Sequence, residues 1–172
     1  KWVYEHGVTD IAEMTNLSKK FREELPKYLT FDLPEMVEKL DSVDGTRKML
    51  FDVGDGMTVE TVLIPAEDRL TICLSSEVGC NMACRFCYTG KQKLKKRLST
   101  EQIVGQFVQA HKTLENEDRR ISNIVFMGMG EPLMNYNNVL KAIDKITSPE
   151  GLGMSPKRIV VSTSGVPKMI KK

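Results

Sequence analysis

Apolar and polar positions follow two different rhythms along this chain. Lys48 to Val53 and Met57 to Ile64 are β-prone runs joined by Gly54-Asp55-Gly56, and a turn signal between such runs predicts a hairpin. From Leu70 onward strand-like and helix-like stretches alternate: strands at Leu70 to Leu74, Ile121 to Phe126 and Arg158 to Val161, helices near Thr100 to Leu114 and Asn137 to Ile146. That alternation predicts parallel β/α units. Ahead of the hairpin, residues 1 to about 42 read as helical. Lys1 to His6 looks amphipathic, and Ser18 is a good N-cap for Lys19 to Leu25, whose Glu and Lys residues surround Phe21 and Leu25 on a solvated face. Pro26 stops that helix, and Pro34 is placed to open another over Glu35 to Leu40. Three regions result: helical 1–42, hairpin and linker 43–69, and a β/α core over 70–172.

Composition narrows the class without naming a function. Hydrophobic residues make up 41% and charged residues 28%, as in an ordinary soluble globular protein, and no apolar run approaches the ~20 residues needed to cross a bilayer. The expectation is a cytoplasmic protein with no membrane partner. A net charge of +2 says nothing about nucleic acid, so any RNA contact must come from local patches. With 172 residues the chain can bury one substantial core.

The cysteines change the picture. Three of the four crowd into Cys80-Asn81-Met82-Ala83-Cys84-Arg85-Phe86-Cys87, which favours metal ligation in a reducing compartment over disulfides. Four thiolates would saturate a [4Fe–4S] cubane, whereas three from one loop leave one iron open. S-adenosylmethionine (SAM) suits that opening, since its amino and carboxylate groups can chelate the iron and bring the sulfonium beside a source of single electrons. A structural zinc site is the bland alternative. It wants four ligands, and His6, His111 and Cys73 are the candidates to complete it, yet neither histidine sits in a second ligand pair. Two further motifs, Gly128-Met129-Gly130-Glu131-Pro132-Leu133 and Val161-Ser162-Thr163-Ser164-Gly165-Val166, also follow strands. In β/α folds ligands gather at those strand ends.

Cys80-x3-Cys84-x2-Cys87, with Phe86 before the last cysteine, resembles the cluster loop of the radical-SAM superfamily. The lead-in Thr71-Ile72-Cys73-Leu74-Ser75-Ser76-Glu77-Val78-Gly79, the exit Tyr88-Thr89-Gly90 and the two later motifs, in this order, are similar to the RlmN/Cfr family of RNA methyltransferases. Gly7-Val8-Thr9-Asp10 and Glu13-Met14-Thr15-Asn16-Leu17-Ser18-Lys19 resemble that family's N-terminal region, closest to the RlmN branch. The resemblance implies a partial (β/α)6 barrel. A β/α unit takes ~30 residues, so Leu70 to Lys172 holds about three of the six units. With a start at Lys1 rather than Met and an end inside an apparent helix, the expectation is an N-terminal and central fragment, itself inactive.

For function the resemblance implies methylation of C2 of adenine in 23S rRNA and tRNA through a methylated cysteine; the alternatives are C8 methylation of the Cfr type or, outside the family, another [4Fe–4S] redox protein, which would need a fourth protein ligand. It implies a [4Fe–4S] cluster on Cys80, Cys84 and Cys87, SAM bound by Gly130, Glu131 and Ser162, Glu60 as proton acceptor, and an electron donor such as flavodoxin or ferredoxin. Each has a blander reading. Glycines in a βα loop can serve sterics alone, Ser162 can cap the next segment, and Glu60 alternates with apolar neighbours as a strand's solvent face does. Cys73 reads as a small buried hydrophobe, and the methyl-carrying cysteine is expected beyond Lys172. Lys91-Gln92-Lys93-Leu94-Lys95-Lys96-Arg97 is either a solvated loop or a rim for RNA phosphates. Trp2, Tyr4 and Tyr28 are read as packing residues, and His6 and His111 receive no role.

Overall fold

A computed structural model describes residues 2–3 and 7–171; Lys1, Tyr4, Glu5, His6 and Lys172, and with them most of the expected first helix, lie outside the described residues. Six strands form one sheet in the order β1-β2-β3-β4-β7-β8. β1 (Glu35–Asp41), β2 (Arg47–Asp52), β3 (Thr58–Pro65) and β4 (Leu70–Cys73) pair antiparallel in sequence. β4, β7 (Asn123–Phe126) and β8 (Ile159–Val161) then run parallel. The short strands β5 (Glu77–Val78) and β6 (Lys96–Arg97) form a separate ribbon between β4 and the next helix. The helices are α1 (Lys19–Glu24), α2 (Thr100–Lys112), α3 (Tyr136–Thr147) and the short α4 (Pro167–Ile170). β4, β7 and β8, each followed by a helix, are the three expected β/α units.

Local chemistry explains most of these boundaries. The Ser18 hydroxyl accepts the Phe21 N–H at the start of α1, and Ser99 with Gln102 forms a reciprocal capping box on α2, each cap being worth about 1 kcal/mol. The hairpin turn uses left-handed backbone at Gly54, Asp55 and Gly56. Along β3, Val59, Thr61 and Leu63 are buried while Glu60 and Ile64 are exposed, so α2 and α3 cover one face and the period-two partner set lies on the other. Met49, Phe51, Leu63, Ile72, Ile124 and Phe126 pack beneath the two helices with Ile103, Phe107 and Ile146 in one core. Full burial of such a side chain contributes about 1.5–3 kcal/mol.

One expectation fails. Glu35 to Leu40 is not a helix but part of β1, all of it exposed, so the helical region ends well before residue 42. Pro34 is buried against α2, with its carbonyl accepting from Gln109 Nε2 at 2.7 Å. The chain leaves that anchor along β2, whose free edge offers a ladder from Glu35↔Asp52 to Asp41↔Arg47. Long-range pairing overrides a weak local helix signal. Tyr28 is a second correction, since it is 83% exposed rather than packed.

Candidate functional site: three strand-end loops around a cysteine-lined cavity

Because β4, β7 and β8 are parallel and adjacent, the segments after them emerge at one end of the sheet, past the carboxyl ends of the strands. Main-chain bonds extend the ladder past the strands: Leu74 N–H to Val125 O at 2.9 Å, Gly128 N–H to Leu74 O at 3.2 Å and Ser162 N–H to Phe126 O at 3.3 Å. A cavity of about 340 Å³ opens there, lined by Cys80, Cys84 and Cys87 from the first loop, Gly128, Gly130 and Glu131 from the second, and Ser162, Thr163 and Ser164 from the third. All the expected cluster and SAM residues therefore meet at one place. Glu60 does not join them.

The cysteine loop is held at both ends. Cys80 N–H donates to Gln92 O at 3.1 Å, Leu94 N–H to Asn81 Oδ1 at 3.1 Å and Lys95 N–H to Val78 O at 2.8 Å. Gly79 is left-handed at φ +75°, and a Cβ there would stand 2.1 Å from the Lys93 carbonyl oxygen, so no other residue fits this crossing. All four cysteines are free thiols; Cys80 is buried and the other two loop cysteines half-buried. Burial pushes the Cys80 thiol up, against the Met82 N–H that donates to its sulfur. Among the described residues no three metal-ligating side chains are already drawn into a ligand group. The fit to a cluster rests on the donor set, three thiols of one short loop facing one cavity.

Glu131 is buried, and its carboxylate is saturated. Oε1 accepts from Leu133 N–H at 3.0 Å and Thr163 Oγ1 at 2.7 Å, and Oε2 from the N–H and hydroxyl of Ser164, both at 2.8 Å. Burial alone would raise its pKa, but these donors outweigh it and hold the carboxyl below its usual range. The side chain thus ties the second loop to the third, and what the turn offers a ligand is backbone. Thr163 and Ser164 spend their hydroxyls on Glu131. Ser162 makes no side-chain hydrogen bond among the described residues and stays exposed at the cavity.

Glu60 is exposed and pairs with Lys48 at 3.2 Å. It lines a neighbouring cavity of about 250 Å³ with Tyr88, Gln92, Lys95 and Met129, and Thr89 lines both cavities. Cys73 pairs with Val62 and Val125 in the sheet and is half-buried; burial pushes its thiol up. It does not line the cysteine cavity. His111 is remote too. It stacks on Phe107 and borders a larger cavity, about 610 Å³, with Leu114, Arg120 and Ile121 at the far end of α2, so it cannot complete a zinc site with the loop.

Of the basic run, Lys96 donates to Val53 O at 2.6 Å and Arg97 pairs with Glu77 at 3.3 Å. Lys91 lies 5.9 Å over the Tyr88 ring, and Lys93 and Lys95 are exposed. Sequence reasoning passed over the buried polar residues beneath the loops. Gln106 accepts from Thr61 Oγ1 and Ser75 N–H and donates to Ser75 O; Asn135 Nδ2 donates to the carbonyls of Ser76 and Leu98. The Ser75 hydroxyl donates to Glu60 O and accepts from Met129 N–H. A polar Gln106 inside the apolar run Ile103 to Val108 was the available signal.

Residues 75–171 match the Radical SAM superfamily, and residues 1–30 the ribosomal RNA large subunit methyltransferase N-terminal domain. Proteins named dual-specificity RNA methyltransferase RlmN align over nearly the whole chain: that of Bdellovibrio bacteriovorus is 66% identical over 98% of this chain and 42% of its own length. The Ruegeria pomeroyi protein is 47% identical over 96% of this chain and 44% of its own. The chain thus spans less than half the length of these relatives. The crystal structure of a radical SAM methyltransferase from Sphaerobacter thermophilus superposes with a TM-score of 0.91 at 38% identity, over 98% of this chain and 50% of that one. The superfamily's cofactors are a [4Fe–4S] cluster and SAM, the pair that the donor set around this cavity suits. The chain belongs to the radical SAM superfamily, and within it is similar along nearly its whole length to the RlmN dual-specificity RNA methyltransferases.

Proposed function

We propose that this chain supplies the cluster- and SAM-binding part of an RNA methyltransferase that acts on C2 of adenine in 23S rRNA and tRNA. The observation that carries the reading is the single cavity where Cys80, Cys84 and Cys87 face the Gly128–Glu131 turn and Ser162. The three thiolates hold the cluster, the backbone at Gly130 and Glu131 receives the amino group of SAM, and the Ser162 hydroxyl adds a hydrogen bond. When bound, cluster and SAM together supply a one-electron route to an aromatic carbon too weakly nucleophilic for direct methylation.

The chain's own residues then serve the RNA. Glu60, one cavity away across Thr89, is the proton acceptor that lets the base recover aromaticity. Exposed Lys93 and Lys95 at the loop's rim meet phosphates around the target base. The electron comes from a small carrier such as flavodoxin or ferredoxin, and the setting is cytoplasmic. Among the described residues no helix is long and apolar enough to cross a membrane.

Anaerobic reconstitution tests the site: about four iron and four sulfide per chain, with an electron paramagnetic resonance signal that shifts on adding SAM, is expected. One zinc in their place would overturn it. For the substrate, this chain replaces the aligned segment of the Bdellovibrio bacteriovorus relative, and the chimera is incubated with methyl-labelled SAM, reductant and 23S rRNA or tRNA. Label at adenine C2 is expected; label at C8 would refute the regiochemistry.

A further inference from the structure

Glu77 is 1% exposed, and a buried carboxylate needs partners to offset its lost hydration. It has two. Oε2 accepts the Glu131 N–H at 3.0 Å, and Oε1 accepts from Arg97 Nε at 3.3 Å. The main chains lock as well, Glu77 N–H donating to Met129 O at 3.1 Å. Gly130, at φ +99°, lies flat on this residue: a Cβ there would come within 2.6 Å of Glu77 Cβ and 2.8 Å of Glu77 N. Burial pushes the Glu77 carboxyl up, while the Glu131 N–H and Arg97 pull the other way.

The bond to Glu131 N–H fixes more than one hydrogen. No peptide here is cis among the described residues, and in a planar trans peptide the C=O points opposite to the N–H of the next residue. Holding the Glu131 N–H toward Glu77 therefore aims the Gly130 carbonyl away from it. Gly130 and Glu131 line the cysteine cavity, and a carbonyl aimed there is an acceptor for an ammonium group. We propose that Glu77 is a positioning residue for SAM, orienting the Gly130–Glu131 peptide with Arg97 as its counter-ion. The inference rests on reading that turn as the SAM site, and it also links the last cation of the basic run to the cofactor cavity.

The test compares wild type with Glu77→Ala and Glu77→Gln. In the cluster-free chain, amide hydrogen exchange over Met129 to Leu133 should speed up in Glu77→Ala and stay near wild type in Glu77→Gln, whose amide oxygen still accepts the N–H. In reconstituted protein Glu77→Ala should keep its iron and bind SAM about tenfold more weakly, as expected for one hydrogen bond to a charged acceptor. Glu77→Gln should restore the affinity and the SAM-induced spectroscopic shift. Unchanged exchange and affinity in Glu77→Ala, failure of Glu77→Gln to rescue, or loss of protection across the whole sheet would each overturn the proposal. If wild type itself takes up no SAM, the reading of the site falls, while the exchange data still decide what Glu77 orients.

Discussion

At the scale of single residues the site divides labour cleanly. Cys84 is one of three thiols on a loop, and two remaining thiolates cannot fix a cubane, so Cys84→Ala should abolish iron uptake; full iron content in the variant would reject the assignment. Ser162→Ala should retain iron and weaken SAM binding by about 1 kcal/mol, the net worth of a neutral hydrogen bond, measurable by calorimetry. The two buried glutamates answer pH in opposite directions. Glu131, held below the usual carboxylate range, contributes stability that is present above that range and lost as pH falls through its folded value. Glu77, pushed up, costs stability as pH rises through the ordinary range, because the unfolded chain ionises first. Urea midpoints from about pH 3 to 7 should therefore show less acid-side loss in Glu131→Gln and a gentler decline with rising pH in Glu77→Gln. The cysteine set was legible because its members are neighbours in sequence. The Glu77 bond to the Glu131 N–H joins residues 54 apart, and no local pattern announces it.

Among elements, α2 carries the decisive strut. Gln106 is fully buried and satisfies Thr61 on β3 and both main-chain groups of Ser75 after β4. Gln106→Leu should cost about 2–3 kcal/mol, since the buried Ser75 groups lose their partners, and chemical denaturation will measure it. Ser99→Ala, removing half of a capping box, should cost about 1 kcal/mol. The helix boundaries, the hairpin and the parallel strands could all be read from capping residues, turn residues and apolar runs. β1 could not. Met36, Val37 and Leu40 suit one helix face by spacing, and only the free edge of β2 and the buried anchor at Pro34 make the segment a strand.

For the whole molecule the sheet is the organising fact. Its hairpin half and its parallel half share one core under α2 and α3, so the β-hairpin is built into the sheet that carries the site. β8 closes the order at one end, with Val160 48% exposed. An exposed strand edge invites pairing with another chain. Val160→Lys should reduce concentration-dependent association in sedimentation velocity while leaving iron uptake intact; equal association in both proteins would show that this edge is not the sticky one.

By itself the sequence determined the cysteine donor set and the order of the elements from the hairpin onward. Cysteine spacing, glycine placement and hydrophobic rhythm are local, and each has its physical meaning within about a dozen residues. Tertiary structure decided what meets what. Parallel register put three loops at one end of the sheet, turned the Glu131 carboxylate into a clamp on Thr163 and Ser164, and left Ser162 lining the cavity. It also set Glu60 one cavity aside and placed Glu77 beneath the turn. Those outcomes depend on hydrogen bonds between residues far apart in sequence, whose partners exist only once the sheet has formed.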